Sequence, residues 1–308
     1  MNKILSLERS KLTQFRNPAF YGKIIWKIVR FCMFVGLSFL ILYPFIVKLS
    51  SCFMSYEDLI NPTVNLFPLD GSLTYLRQAM SILDYWNTLG PTAFLAAVVG
   101  LAQVLVSSIT GYGMARFRFR GRNVLFILVL LTLLVPPQVL MIPLYVRFAN
   151  FSFFGLGGIN LLDSYWPFIL LTLTGQDLKS GLYIYLMRQY FQGLPVELEE
   201  SAYIDGAGPY RTFVSIMWPN ARNMILTVFI FSFSWQWTDS NITPMYLRDV
   251  NVFSTMVKAL TESNLKNPVE VSAINNVAML LMVLPLLLLF IVLQRYIVKG
   301  VESSGIVG

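Results

Sequence analysis

Apolar and polar positions in this chain alternate in blocks rather than residue by residue. Six apolar runs, at about residues 27–50, 88–115, 123–146, 165–190, 221–240 and 272–293, are separated by polar, basic or Pro/Gly-punctuated stretches. About twenty apolar residues in α-helix cross the hydrocarbon core of a bilayer. Such runs are not the alternating ten-residue segments of a membrane β-barrel. The pattern predicts an all-α polytopic membrane protein with six transmembrane helices, residues 27–293 forming the spanning domain and 1–26 and 294–308 polar tails. The first run is too long, and too poorly followed by small residues, for a cleaved signal peptide.

Each run carries its own signal. The second is rich in small residues (Gly100, Ala102, Ser107, Ser108, Gly111, Gly113). Small residues let helices approach closely, which predicts a helix packed on several sides. The third contains Pro136, Pro137 and Pro143, which predict a kink. The fourth is interrupted at 175–181 by Gly175, Gln176, Asp177, Lys179 and Gly181.

Between the fourth and fifth runs lies a stretch of another kind, residues 194–223. Gly193 followed by Pro195 reads as one helix stopping and another starting. Glu197, Glu199 and Glu200 then sit near a positive helix N-terminus. Leu194, Leu198 and Ala202 form an apolar stripe, and Gly206 suits a left-handed stop. Pro209 opens a second short helix with Phe213, Ile216 and Met217 on one face, and Pro219 turns the chain into the fifth run. The expected form is a helix–turn–helix along the membrane face with its acids directed outward. By periodicity alone it is either a shield over the bundle or a docking element.

Composition sharpens this picture. The 308 residues are 56% hydrophobic and 13% charged, with mean hydropathy +0.63; soluble chains average about 25% charged. The net charge of +7 sits beside the apolar runs rather than on a soluble domain, which points to membrane orientation and not to nucleic acid. Of 23 Lys and Arg, sixteen lie in the two tails, the second–third and fourth–fifth loops and the run ends that adjoin them, against six on the opposite side and Lys179 within a run. That places both termini and the 194–223 stretch in the cytoplasm. The absence of histidine removes His-based acid–base chemistry, His-containing zinc sites and Ser-His-Asp triads. Cys32 and Cys52 stand at opposite ends of one run, about 30 Å apart in a helix, too far for a disulfide.

The spacing within the cytoplasmic stretch is specific. Glu200-Ser201-Ala202, three residues, Gly206, nine residues, then Ile216-x-Trp218-Pro219 resembles the "EAA" loop of ABC-transporter permease subunits, with Ser201 and Trp218 where that loop has Ala and Leu. Further stretches resemble carbohydrate-uptake permeases of the maltose-permease-like kind. These are Ala115-Arg116-Phe117-x-Phe119-x-Gly121-Arg122, the Pro136–Leu144 region, Met187–Phe191 and Gln294-Arg295-Tyr296-x-x-Lys299-Gly300. The resemblance implies a type I ABC importer permease in a bacterial inner membrane, not itself an enzyme. It would pair with a second, non-identical permease, two ATP-binding subunits and an extracytoplasmic solute-binding protein, and import a carbohydrate. It binds no cofactor of its own; ATP and Mg would sit on the partner ATPase, since the chain has no Walker A loop. The ATPase-coupling residues would be Glu199, Glu200, Ala202, Asp205, Gly206, Ala207, Phe213, Ile216 and Pro219, and residues 299–308 would reach toward the ATPase.

For the solute path, Gln176, Asp177 and Lys179 either line a break in the fourth helix or form an ion pair or inter-subunit contact. Trp235, Gln236, Trp237 and Asp239 suit either a sugar, held by aromatic faces and polar edges, or an interfacial aromatic belt. The rival readings are an ABC permease for a non-sugar solute, a membrane enzyme, and an ion-gradient transporter coupled through Asp177 and Lys179. The last would show broken helices at matching positions in two halves, and only the 175–181 break is evident.

Overall fold

The computed structural model describes residues 18–153, 156–177, 179–261 and 267–305. It divides into two compact units, before and after Leu76; most of residues 1–26 lie outside the described part.

In the first unit, α1 (Pro18–Ser51) is a single helix whose described side chains are nearly all exposed. Water would not tolerate such an apolar cylinder, and lipid would. Cys32 and Cys52 are both free. After α1 the chain folds back on one buried carboxylate. Ser55 caps α2 (Tyr56–Ile60) by accepting the Asp58 N–H, while Asp58 Oδ2 accepts the N–H groups of Leu69 and Asp70, each at 3.1 Å. An antiparallel bridge between Met54 and Gly71 closes the loop. Asp58→Ala leaves two inward amides without an acceptor, an expected cost of about 1–3 kcal/mol. Faster amide hydrogen exchange at Leu69 and Asp70 is the readout, and unchanged exchange would refute the role.

The second unit begins with α3 (Thr74–Ile82), which crosses the boundary, and is built around α4 (Tyr85–Arg116). The small-residue expectation for this run has a geometric basis. A Cβ on Gly111 would lie 2.7 Å from Met187 Cβ and 2.9 Å from the Arg188 nitrogen. A Cβ on Gly100 would lie 3.1 Å from the Phe229 ring. Helix α8 (Ser180–Gly193) therefore reaches α4 backbone to backbone, and α12 (Arg222–Thr238) packs the Phe229 ring against it. On its other side α8 meets α5 (Arg122–Thr132) at Gly181, whose Cβ would lie 2.8 Å from the Val129 carbonyl.

The third run departs from a kinked helix. It forms α5 and α6 (Pro137–Ala149), bent by 94° about residues 133–136. Pro136 and Pro137 lack the N–H groups that would bond Thr132 and Leu133, so the ladder stops and the last turn tightens to i→i−3 bonds at Leu133, Leu134 and Val135. The fourth run also breaks, into α7 (Trp166–Leu173) and α8, with Gly175 at φ +68°. Among the described residues the apolar runs thus show two breaks, not one.

Two further departures from an all-α chain are short. After α6, β1 (Phe151–Phe153) pairs antiparallel with β2 (Leu156–Ile159). Residues Phe213–Met217 form a π-turn between α10 (Pro209–Thr212) and α11 (Trp218–Asn220). There the Trp218 N–H bonds the Phe213 carbonyl, and Pro219 has no N–H with which to continue an α ladder.

The remaining helices among the described residues are α9 (Glu197–Ile204), α13 (Thr243–Tyr246), α14 (Phe253–Thr261) and α15 (Pro268–Gly305). The last continues through most of the expected C-terminal tail. Residues 25–51, 85–116 and 268–294, and the bent α5/α6 pair, are each long and apolar enough to cross a membrane. Among the described residues, one part of the core packs Tyr112, Met187, Phe191, Phe213 and Met217, and another Leu95, Val99, Phe148, Phe168 and Tyr246.

Candidate functional site

The α9–α11 segment is built as expected up to its stop. The Ala207 N–H bonds the Ala202 carbonyl and the Gly206 N–H bonds the Tyr203 carbonyl, with Gly206 at φ +77°. This 6→1 and 5→2 pairing is a Schellman stop, which only a residue tolerant of the left-handed region makes without strain.

The acids do not all face outward. Glu199 is 6% exposed; its Oε1 accepts the Tyr112 hydroxyl at 2.7 Å, and its Oε2 lies 3.4 Å from Arg116 Nε. That approach is an ion pair outside hydrogen-bond geometry, since Arg116 Nε has no hydrogen-bond partner. Arg116 Nη2 donates to the Leu194 carbonyl at 2.6 Å. Tyr112 packs against Phe191 and Phe213, and Phe213 against Trp218. One turn of α9 after Pro195 places position 199 on the same face as Ala202, and α4 ends there with a phenol and a guanidinium. Glu199 thus faces the bundle because its partners lie there. The sequence reading missed Tyr112; an acid on the apolar stripe was the available signal.

Of the other expected coupling residues, Ala202 and Phe213 are buried, Ile216 and Ala207 half-buried, and Glu200, Asp205, Gly206 and Pro219 exposed. The outward face also carries apolar groups that were not singled out: Val214, Ile204 at 86% exposure and Tyr210 at 81%.

The second cluster is a cavity where both chain breaks meet the end of α12. Pro137, Met141, Leu144, Gln176, Asp177, Trp235, Gln236, Asp239 and Tyr246 are among its lining residues. Five of the seven expected path residues therefore come together. Lys179 stands aside, its Nζ 4.2 Å from the centre of the Trp235 ring in the adjoining pocket. Trp237 is buried on another face, with its Nε1–H on the Met282 carbonyl at 2.9 Å. Asp239 caps α13: its oxygens accept the N–H groups of Asn241, Ile242 and Thr243 and the Thr243 hydroxyl. Burial first, and Asp239 second, push the Tyr246 hydroxyl up to about 12, so it is protonated throughout the physiological range. Asp163, at φ +56°, accepts the Arg248 and Asp249 N–H groups and holds the 246–249 turn against the residues before α7. No group of three or more acidic or cysteine side chains able to hold a metal ion occurs among the described residues.

Residues 103–303 match the family described as binding-protein-dependent transport system inner membrane component. The chain is 28% identical over 299 residues to the arabinooligosaccharides transport system permease protein of Bacillus subtilis, covering 92% of this chain and 97% of that one. It is 29% identical over 222 residues to the sn-glycerol-3-phosphate transport system permease protein of Escherichia coli, covering 71% and 74%. A crystal structure of a bacterial ABC transporter involved in the import of the acidic polysaccharide alginate superposes with a TM-score of 0.72 at 19% identity. That match covers 89% of this chain and 97% of the solved one, and the likeness is one of fold.

Proposed function

The chain belongs to the binding-protein-dependent inner membrane components, the permeases of ABC importers, and from that premise we propose that it passes a carbohydrate delivered by an extracytoplasmic binding protein. It would work beside a second, non-identical permease and two ATP-binding subunits that hold ATP and Mg. In this reading six spans cross the membrane, both termini are cytoplasmic, and α9–α11 seat in the ATPase. Nucleotide-driven closure would move that segment and rock the bundle between inward- and outward-facing states. The carbohydrate assignment is supported by the saccharides that the relatives' names record.

The observation that carries the coupling role is the outward face of α9–α11. A segment fastened to the bundle through Glu199 and Phe213 leaves Ile204, Tyr210 and Val214 exposed, with Glu200 and Asp205 among them. Burying one such side chain in a partner is worth about 1.5–3 kcal/mol. The Ile204→Asp, Tyr210→Asp double variant is expected to fold with a wild-type melting temperature and yet to lose at least about tenfold in ATPase affinity. Co-purification with the ATPase, read as subunit stoichiometry, decides it; an undiminished complex would overturn the docking role.

The two chain breaks would by themselves suit an ion-gradient transporter; family membership selects the ABC reading. The sn-glycerol-3-phosphate relative keeps a phosphorylated polyol as the alternative cargo.

A further inference from the structure

The cavity contains a polar group that the chain leaves unsatisfied. Tyr246 is 0% exposed; its ring is held by Phe148 and Phe168 at centroid distances of 5.8 and 5.7 Å. Its hydroxyl is buried without a hydrogen-bond partner, and Tyr246 lines the cavity. An unpaired buried hydroxyl costs about 1–3 kcal/mol, whereas phenylalanine would fill the same space without that cost. A tyrosine here implies an oxygen supplied from outside the chain.

The rest of the lining indicates what carries that oxygen. Gln236 commits its Nε2 to the Thr243 hydroxyl at 3.0 Å, which leaves its carbonyl oxygen as an acceptor. Gln176 and Asp177 add polar groups from the α7–α8 break, and Trp235 adds an aromatic surface. Met141, Leu144 and Leu171 complete an apolar wall. Tyrosine, glutamine and carboxylate groups beside an indole fit a ring with an apolar C–H face and hydroxyls at its edge. Asp177 and Asp239 disfavour an anion, and Lys179 is not among the lining residues.

Size decides the state. At about 40 Å³ the cavity admits about three waters, so a sugar ring needs a wall to move. Two walls are chain breaks, at Pro137 and at 174–177, where no continuous helical ladder has to be broken for a shift. Discontinuous helices at a polar pocket are a recurrent basis of transporter sites.

We propose that this cavity, lined by residues of this chain, is a subsite for one ring of a neutral saccharide, too small for that ring in this conformation, with the Tyr246 hydroxyl donating to a substrate oxygen. The proposal rests on the carbohydrate-import reading. Its test uses the assembled transporter in proteoliposomes with its binding protein, with radiolabelled arabinotriose and maltotriose as probes and wild type beside Tyr246→Phe. Loss of one such hydrogen bond is expected to lower uptake per ATP hydrolysed about five- to tenfold. The melting temperature of the ligand-free complex should stay the same or rise, because removing an unpaired hydroxyl relieves a cost. Unchanged uptake would mean that water satisfies the hydroxyl and would overturn the subsite. A melting temperature that falls together with uptake would make the residue structural and would also overturn it. If the wild type imports neither trisaccharide but does import sn-glycerol-3-phosphate, the carbohydrate reading itself fails; that result is distinct because the unmutated protein shows it.

Discussion

Glu199→Ala is expected to unseat the α9–α11 segment and to abolish ATP-driven uptake. The carboxylate is the acceptor of the Tyr112 hydroxyl and the counter-charge of Arg116, and all three are enclosed where α4 ends. Removing one member of a buried pair leaves the other charge uncompensated, at about 3–5 kcal/mol. Surface ion pairs, worth about 0–1 kcal/mol, are a poor guide here because Glu199 and Arg116 side chains are 8% and 10% exposed. Glu199→Gln retains an acceptor for Tyr112 but not the charge, and should fall between wild type and Ala. Limited proteolysis near Gly206 and melting in detergent are the measurements. An Ala variant that melts with the wild type and resists protease equally would show that Phe213, Met217 and Ala202 hold the segment unaided.

Gly111→Val is expected to prevent the bundle from assembling. Its Cβ would meet Met187 Cβ at 2.7 Å and the Arg188 backbone nitrogen at 2.9 Å. A flexible side chain could step aside; backbone inside a packed helix cannot, and interiors are too dense to absorb the shift. Overpacking costs about 1–3 kcal/mol where the core can adjust, and here it would have to separate α4 from α8. Gly113→Ala, two residues away, meets only the Phe117 ring at 4.0 Å and should fold normally. Monodisperse yield on size exclusion separates them. Equal yields would mean that α4 and α8 tolerate separation.

Much of the architecture was legible because helix formation in apolar surroundings depends on local composition. Helices begin and end near the expected positions of the second run (85–116 against 88–115) and the fifth (222–238 against 221–240). The Gly206 stop was readable because a left-handed residue is a local need. Local rules failed where two chemistries competed. Pro136 and Pro137 were read as a kink, but two consecutive missing donors produced a 94° break. Glu199 was read as an outward acid among acids, yet its direction is set by Tyr112 and Arg116, more than eighty residues earlier. Trp235 and Trp237 look equivalent in sequence, and one residue of α12 lies between them. That rotation sends Trp235 to the cavity and Trp237 to the Met282 carbonyl.

By itself the sequence determined the apolar runs, the caps and the spacing of the 194–223 stretch, because those follow from residues within a turn or two of each other. Tertiary structure alone decided which acid turns inward, which of the polar residues share a cavity, and that Tyr246 is left there without a partner. Those outcomes depend on which helices meet and at what rotation, and on the high cost of an unmatched charge or hydroxyl once water is excluded.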